Sequence, residues 1–393
     1  MNRIIKHILV VFVTICLIPG LALAEIKLGD HIKSLKLKGD LRVRFERHDQ
    51  DKDAGKNTDT NNPKDRLRTR FRLGAFWNAP DEKWEIGAGL ATGGGGSTST
   101  NDTWSEDDDK TVNNKDFFKT GDIRLDYAYA KHSLDVPGMK KVNIIVGQQK
   151  NPFKTSWLLW DSDVRPAGFT GHVDTGIVFA TIGGYDVLQN GNDVDMMYAL
   201  QGGSKIKNGN IAFTGALTGY FFSTDFDKNH IFGSSYEVNK DYEYQIIDLY
   251  GKIDIKLDKK IKISPYLQVF QNIGADGEKG QGVLGGDLEP DSENTGWTIG
   301  VDTKFMDASF KLSYASVGAD SCVPGLKNAD FGSKIHKGVN VSGAVVAAGY
   351  KLTKHFSTEL TAYLYKALEE VTKDDPDNDK NMQMYHFDLK YKF

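Results

Sequence analysis

The 393-residue chain carries 49 basic and 53 acidic residues, and its formal net charge of -4 is mild for its length. Basic residues are not concentrated into a polybasic patch, so the composition argues against a nucleic-acid partner. With only two cysteines, Cys16 and Cys322, the chain is not a disulfide-rich secreted scaffold.

The first 24 residues have the layout of a secretory signal peptide. Arg3 and Lys6 precede an apolar run over 8–18, and Ala22-Leu23-Ala24 supplies a cleavage site. The run is shorter than the roughly 18 residues that a membrane helix needs. We therefore predict that residues 1–24 are removed and that residues 25–393 are exported. The formal charge then moves from -4 to -6, because the leader holds two basic residues and no acidic one.

Beyond the leader, one pattern repeats: about ten residues of alternating polar and apolar character, then a turn, which is typical of a transmembrane β-barrel. No apolar stretch of the exported part is long enough for a membrane helix. The predicted strands are 35–48, 65–77, 83–92, 119–131, 139–149, 166–172, 175–184, 193–203, 209–221, 243–256, 260–273, 294–304, 308–317, 340–352, 356–367 and 381–393. Their number is even, as a closed single-chain bacterial barrel requires. The predicted fold class is thus all-β, a transmembrane antiparallel barrel of 16 strands in one domain over 25–393.

Short and long connections alternate between these strands. Short turns fall at 78–82, 133–137, 205–208, 257–259, 305–307 and 353–355. Long polar segments fall at 49–64, 93–118, 222–242, 274–293, 318–339 and 368–380. Short periplasmic turns and long extracellular loops are typical of outer-membrane barrels. Because an open strand edge is unfavourable in lipid, we expect the last strand to close against the first.

The first two predicted strands place their arginines on one face. Leu41, Val43 and Phe45 alternate with Arg42 and Arg44. In the second strand Leu67, Thr69, Phe71 and Leu73 alternate with Arg66, Arg68, Arg70 and Arg72. An arginine facing lipid near the midplane costs roughly 2–4 kcal/mol, so this register predicts a basic wall inside a wet lumen. Each strand alone would also suit the solvated face of a soluble β-sandwich.

Residues 148–168 follow the fifth predicted strand and break its period. Trp157 and Trp160 enclose two leucines, and Asp161 and Asp163 come directly after them. As an outward loop, this segment would expose both tryptophans to water, which is unfavourable. Folded into the barrel, it would anchor Trp157 and Trp160 on the inner wall and present both aspartates to the pore. We predict the inward loop, with Arg124 extending the charged lining.

Four segments resemble the putative porin family of Gram-negative outer membranes. They are LKGDLRVRFER at 37–47, RLRTRFRLG at 66–74, GLATGGGGSTSTN at 89–101 and KNPFKTSWLLWDSDVRPAG at 150–168. The resemblance implies a 16-stranded barrel that forms a homotrimer and whose third loop narrows the channel. It further implies that Phe393, with Tyr391 on the same face, is the assembly signal read by the barrel-insertion machinery. The acidic segment 102–119 departs from the family pattern.

We therefore predict a porin of the bacterial outer membrane: a water-filled channel, embedded in outer-membrane lipids, for passive diffusion of small hydrophilic solutes and ions. We expect no enzymatic activity, metal or cofactor. His132 with Ser133, and His355 with Ser357, lack the third orienting group that a hydrolase requires. The alternative is a closed structural or adhesive barrel whose extracellular loops bind a partner. Whether the acidic loops hold calcium stays open. The sign of ion selectivity also stays open, since a basic wall and acidic loops act in opposite directions.

Overall fold

The chain forms one antiparallel sheet that closes on itself. The structure, a computed structural model, describes residues 34–50, 64–79, 82–94, 98–104, 121–190, 193–223, 243–279, 282–284, 287–372, 375, 378 and 381–393. The predicted signal peptide, residues 1–24, lies outside the described residues, as does most of the acidic segment 102–119. Within the described ranges, no helix is long and apolar enough to cross a membrane.

Sixteen long strands build the barrel wall, and a two-residue strand, β4, pairs with β2 near its start. The strands are β1 Leu35–Gln50, β2 Lys64–Asn78, β3 Trp84–Thr92, β4 Asp102–Thr103, β5 Ile123–Leu134, β6 Lys141–Gln148, β7 Ala167–Asp174, β8 Val178–Asn190, β9 Asp193–Asn208, β10 Ile211–Phe222, β11 Gln245–Lys256, β12 Ile261–Asn272, β13 Thr295–Phe305, β14 Ala308–Val317, β15 Val341–Lys351, β16 Phe356–Ala367 and β17 Asn381–Lys392. Each long strand pairs with its sequence neighbours, and β17 also pairs with β1. The predicted closed barrel is confirmed.

Closure is completed by the last residue of the chain. The Phe393 N–H donates to the Gly39 carbonyl at 3.2 Å, and the Gly39 N–H donates to the Phe393 carbonyl at 3.1 Å. The Phe393 ring lies over Gly39, where a β-carbon would overlap it, and stacks with Phe71 at 6.3 Å between ring centroids. A glycine at position 39 therefore gives the terminal ring its place on β1.

Burial along the wall follows the two-residue period of a strand. On β1, Leu41 is 42% exposed whereas Arg42 is 6% exposed. The outward face of the other strands is apolar, as in Leu200, Leu249, Leu267, Ile299 and Leu312. Inward positions are polar and buried, as in Gln201, Asp248, Gln268 and Thr298. An apolar exterior and a polar interior suit a wall between lipid and a wet lumen.

Three predicted strands differ from the observed strands by three residues or more, and one of them, 175–184, lies at Val178–Asn190. The predicted turn at 205–208 lies within β9, because Gly209 and Asn210 make the hairpin and Gly209 supplies the positive φ of 54°. The fourth predicted strand, 119–131, is shifted to Ile123–Leu134, since Pro137 and Gly138 form the turn further along the chain. The shift of the fourth predicted strand does not change the face on which Arg124 lies.

The barrel carries an apolar core at its long-loop end, where loops fold against the inner wall. Leu158, Leu159 and Trp160 from the connection 149–166 pack there with Val323, Leu326, Phe331 and Ile335 from the connection 318–340. Inward residues of the wall complete the cluster, among them Tyr185, Tyr220, Phe270 and Tyr365. Much of the lumen at this end is therefore packed protein.

Candidate functional site: a charged lumen with two inserted loops

The third loop, residues 149–166, contacts side chains on the inner face of β8 to β12. The Trp157 Nε1–H donates to Tyr266 Oη at 2.9 Å on β12. Trp160 is 4% exposed, and its ring lies 6.1 Å from that of Phe153 and 5.9 Å from that of Tyr220. Both tryptophans therefore contact the inner wall, Trp157 on β12 and Trp160 on β10.

Three buried polar residues of the wall fasten the same loop. Gln201 accepts from the Lys154 N–H at 2.8 Å and donates to the Lys154 carbonyl at 2.9 Å. Gln268 contacts Thr155, and it also donates to Asp248 at 2.8 Å. Buried polar groups are stable only when they are hydrogen-bonded, so these side chains fix the path of the loop. In the sequence, these three residues could be recognised only as polar residues on the inward face of predicted strands.

The seventh loop, residues 318–340, lies against the third. The Asn328 N–H donates to the Leu158 carbonyl at 2.9 Å, and the Asp161 N–H donates to the Leu326 carbonyl at 2.7 Å. The sequence predicted this segment, as 318–339, only as one of the long polar loops of the extracellular side. Its apolar residues Val323, Leu326 and Phe331 are spaced irregularly and gave no periodic signal.

Asp161 and Asp163 are both buried between the inserted loops and the arginine wall. Asp163 accepts from the backbone N–H of Thr100 at 3.0 Å and forms an ion pair with Arg72 at 3.4 Å. Asp161 accepts from the backbone N–H of Ala329 at 2.8 Å and from that of Asp163 at 2.7 Å. Burial raises the pKa of the Asp161 carboxyl to about 7, against the opposing effect of these two donors.

A carboxyl that titrates near neutral pH makes ion preference depend on pH. Below a pKa of about 7, Asp161 is neutral, and above it the lumen gains one negative charge. We expect the reversal potential in a salt gradient to move toward cation preference as pH rises from about 5.5 to about 8.5. In Asp161→Asn, which also removes the charge, most of this pH dependence should be lost. An identical pH dependence in the two proteins would assign it to groups of the lumen other than Asp161.

Most arginines of the wall are paired with carboxylates of the same wall. The closest pairs are Arg44 with Asp388 at 2.7 Å, Arg70 with Asp40 at 2.6 Å, Arg72 with Asp40 at 2.9 Å, Arg68 with Glu46 at 3.2 Å, and Arg66 with Glu46. Asp40 and Glu46 lie on the same face of β1 as Arg42 and Arg44. The wall is thus a network of alternating charges, and its net positive charge is smaller than the number of arginines suggests.

Arg42 differs from its neighbours. Its nearest carboxylate among the described residues is Asp388 at 3.7 Å, which already accepts two hydrogen bonds from Arg44 at 2.7 and 3.0 Å. Arg42 also donates to the Asn101 side chain, and its Nε–H is buried without a hydrogen-bond partner in the described part of the chain. Its charge is therefore the least neutralised of the wall.

In the described part of the chain, two cavities lie in the lumen, and both border the inserted loops. The outer cavity, of about 200 Å³, is lined by Arg66, Arg68, Arg70, Asp161, Asp163 and Asp330, among others. The inner cavity, of about 390 Å³, is lined by Arg44, Trp157, Tyr250, Tyr266, Lys311 and Tyr363, among others. Arg42 of β1 and Asn328 of the seventh loop line both. These two residues mark the junction between the cavities.

Two of the predicted lining residues border neither cavity. Arg72 lies behind the outer cavity, where it joins Asp40 to Asp163. Arg124 donates to the Gly94 carbonyl at 2.6 Å on the long-loop side. No group of three or more potential metal ligands occurs within the ranges that the structure describes. The residues that line the two cavities supply fixed charges, hydroxyl groups and aromatic rings.

Comparison with known proteins links part of the chain to the putative porins and its fold to an outer-membrane channel. Residues 48–236 match the profile of the putative porins. No curated protein matches the chain. Among solved structures, the outer membrane channel DcaP of Acinetobacter baumannii is similar at 12% identity, covering 91% of this chain and 97% of that chain with a TM-score of 0.50. A triple mutant of the Rhodopseudomonas blastica porin covers 91% of this chain and 100% of that chain, at 10% identity and a TM-score of 0.45. The likeness to DcaP supports the barrel fold. The match of residues 48–236 to the putative porins and the closed barrel together indicate a porin-like channel of the bacterial outer membrane.

Proposed function

We propose that small hydrophilic solutes and ions diffuse passively through the outer cavity, past Arg42 and Asn328, and into the inner cavity. The observation that carries this proposal is the pair of cavities that share these two residues. The third loop packs against β8 to β12, and the inner cavity beside it is lined by residues of β11 through β17 and of β1. Size selection then depends on how closely the seventh loop approaches β1.

Both positively and negatively charged side chains border this path. Arg66, Arg68 and Arg70 border the outer cavity on the wall side, and Asp161 and Asp163 border it on the loop side. A transverse field between them would orient dipolar solutes and favour those that carry charge. This arrangement supports the role proposed for these residues, with Arg42 as the charge nearest the junction.

Two further proposals rest on the family resemblance. The barrel assembles as a homotrimer, and the barrel-insertion machinery recognises its C-terminal strand.

The fold and the family are those of a channel rather than an enzyme. The Ser and His residues noted in the sequence make structural contacts, since Ser133 bonds Asn143 at 3.1 Å and His355 Nδ1 lies 2.8 Å from the Lys392 carbonyl.

Reconstitution of the full chain in a planar lipid bilayer tests the proposed function. Purified heat-modifiable protein should give discrete conductance steps in potassium chloride, and liposomes that contain it should swell in isotonic solutions of small sugars. Folded protein that gives neither steps nor swelling would contradict the proposal. That outcome would favour the adhesive barrel, whose activity depends on extracellular loops and not on a continuous path.

A further inference from the structure

We propose that the inner cavity is a binding site for sugar acids, that is, hydroxylated rings that carry a carboxylate, and that Arg42 anchors the carboxylate. The inference rests on the proposed channel function and adds the class of solute that the channel prefers. It draws on three features of the cavity: its size, its hydroxyl and aromatic lining, and its excess of cations.

The cavity has the size and lining of a small-molecule site. Its volume of about 390 Å³ falls within the range of roughly 300–1,000 Å³ for ligand pockets. Hydroxyl groups line it from several strands and from the third loop: Thr155, Ser156, Tyr250, Ser313, Thr361 and Tyr363. Trp157 adds an aromatic ring held in place by its bond to Tyr266. Many hydroxyls around an aromatic ring suit the hydroxyls and the apolar face of a sugar.

Cations outnumber carboxylates around the same cavity. The described lining includes the cations Arg42, Arg44, Lys252, Lys311 and Lys390 but only the carboxylates Asp302 and Glu359. Carboxylates just behind the lining reduce this excess, since Arg44 also pairs with Asp388 at 2.7 Å and with Asp330 at 3.6 Å. The cations still exceed these four carboxylates by one, so the cavity attracts an anion.

The excess is concentrated at two places. Lys311 and Lys390 share Glu359 at 3.2 and 2.8 Å, Lys390 also pairs with Asp388 at 3.2 Å, and Lys311 is 51% exposed. Arg42 stands at the junction with a carboxylate no nearer than 3.7 Å among the described residues. A solute carboxylate would there meet a guanidinium that no protein carboxylate neutralises closely, and charged hydrogen bonds of this kind are the stronger ones. Arg42 therefore selects the charge, and the hydroxyl lining selects the ring.

Block of the ion current by glucuronate and by glucose tests the proposal. The two probes share a hydroxylated six-membered ring and differ in the carboxylate. In the unmodified channel, glucuronate should reduce the potassium chloride current at a concentration about tenfold lower than glucose does. Arg42→Gln should remove most of this difference. Arg47→Gln is the matched control, because Arg47 lies on the same strand but outside the cavity and pairs with Asp49 at 3.5 Å and Asp65 at 3.6 Å.

The outcomes separate this inference from the proposed function. Equal block by glucuronate and glucose in a conducting channel would overturn the sugar-acid site and leave the porin intact. The absence of any conductance would overturn both. If Arg42→Gln does not fold, Lys311→Gln replaces it, because Lys311 is half exposed, and it should weaken glucuronate block several-fold without changing glucose block. An unchanged glucuronate block in Lys311→Gln would count against the site.

Discussion

Removal of residues 154–164 from the third loop should leave a folded barrel whose single-channel conductance is several-fold higher. The deletion takes away Trp157, Leu158, Leu159 and Trp160, which fill the lumen beside β8 to β12. Every strand keeps its two hydrogen-bonded neighbours, since no strand pairing involves this loop. The seventh loop loses the carbonyl of Leu158 as the partner of Asn328. The junction should therefore widen from both sides, and larger sugars should pass in liposome swelling.

The control for this deletion removes the same number of residues, 226–236, from the connection between β10 and β11. It should leave the conductance near that of the parent. Unchanged conductance after deletion of 154–164, in protein that migrates as a folded, heat-modifiable barrel, would show that the third loop does not restrict the path. A smaller change, Trp157→Phe, should raise conductance only slightly, because it removes the bond to Tyr266 and keeps most of the ring.

Phe393→Ala should prevent most of the protein from reaching the outer membrane. The substitution keeps the backbone bonds to Gly39 and removes the ring that lies over Gly39 and stacks on Phe71. If the terminal aromatic residue is read during insertion, as the family resemblance implies, its loss acts on assembly more than on stability. The measurement is the amount of heat-modifiable protein in the outer-membrane fraction relative to the periplasm.

Phe387→Ala provides the matched control for the terminal residue. Phe387 lies on the same face of β17 and is 45% exposed, close to the 47% of Phe393. It should assemble normally, because its ring contributes only lipid-facing area. An equal loss of assembly in both variants would show that assembly depends on the aromatic area of this strand and not on an aromatic residue at the terminal position. Normal assembly of Phe393→Ala would remove the residue from the proposed signal.

The sequence by itself determined the barrel. Polar and apolar residues alternate with a period of two along each strand. When one face of the strand contacts lipid, the charged face must turn inward, and a slip of one residue would move every arginine of β2 into lipid. That constraint is local, so the strands and their faces could be predicted without neighbours. The errors fell at turns such as Gly209–Asn210, where one glycine sets the end of a strand and periodicity carries no information. The aromatic and acidic residues of the third loop were visible for a related reason, since an apolar cluster between two strands needs a place to be buried.

Only the tertiary structure decided which charges meet. Arg44 and Asp388 are 344 residues apart in sequence, and Asp161 meets the Ala329 backbone across 168 residues. No local pattern encodes such contacts, because they depend on barrel closure and on two loops entering the same lumen. The sequence therefore predicted a basic wall, whereas the structure shows a wall whose arginines are mostly paired and in which Arg42 stands apart. The seventh loop was missed for the same reason: its residues have no periodicity, and their burial depends on the third loop already being in place.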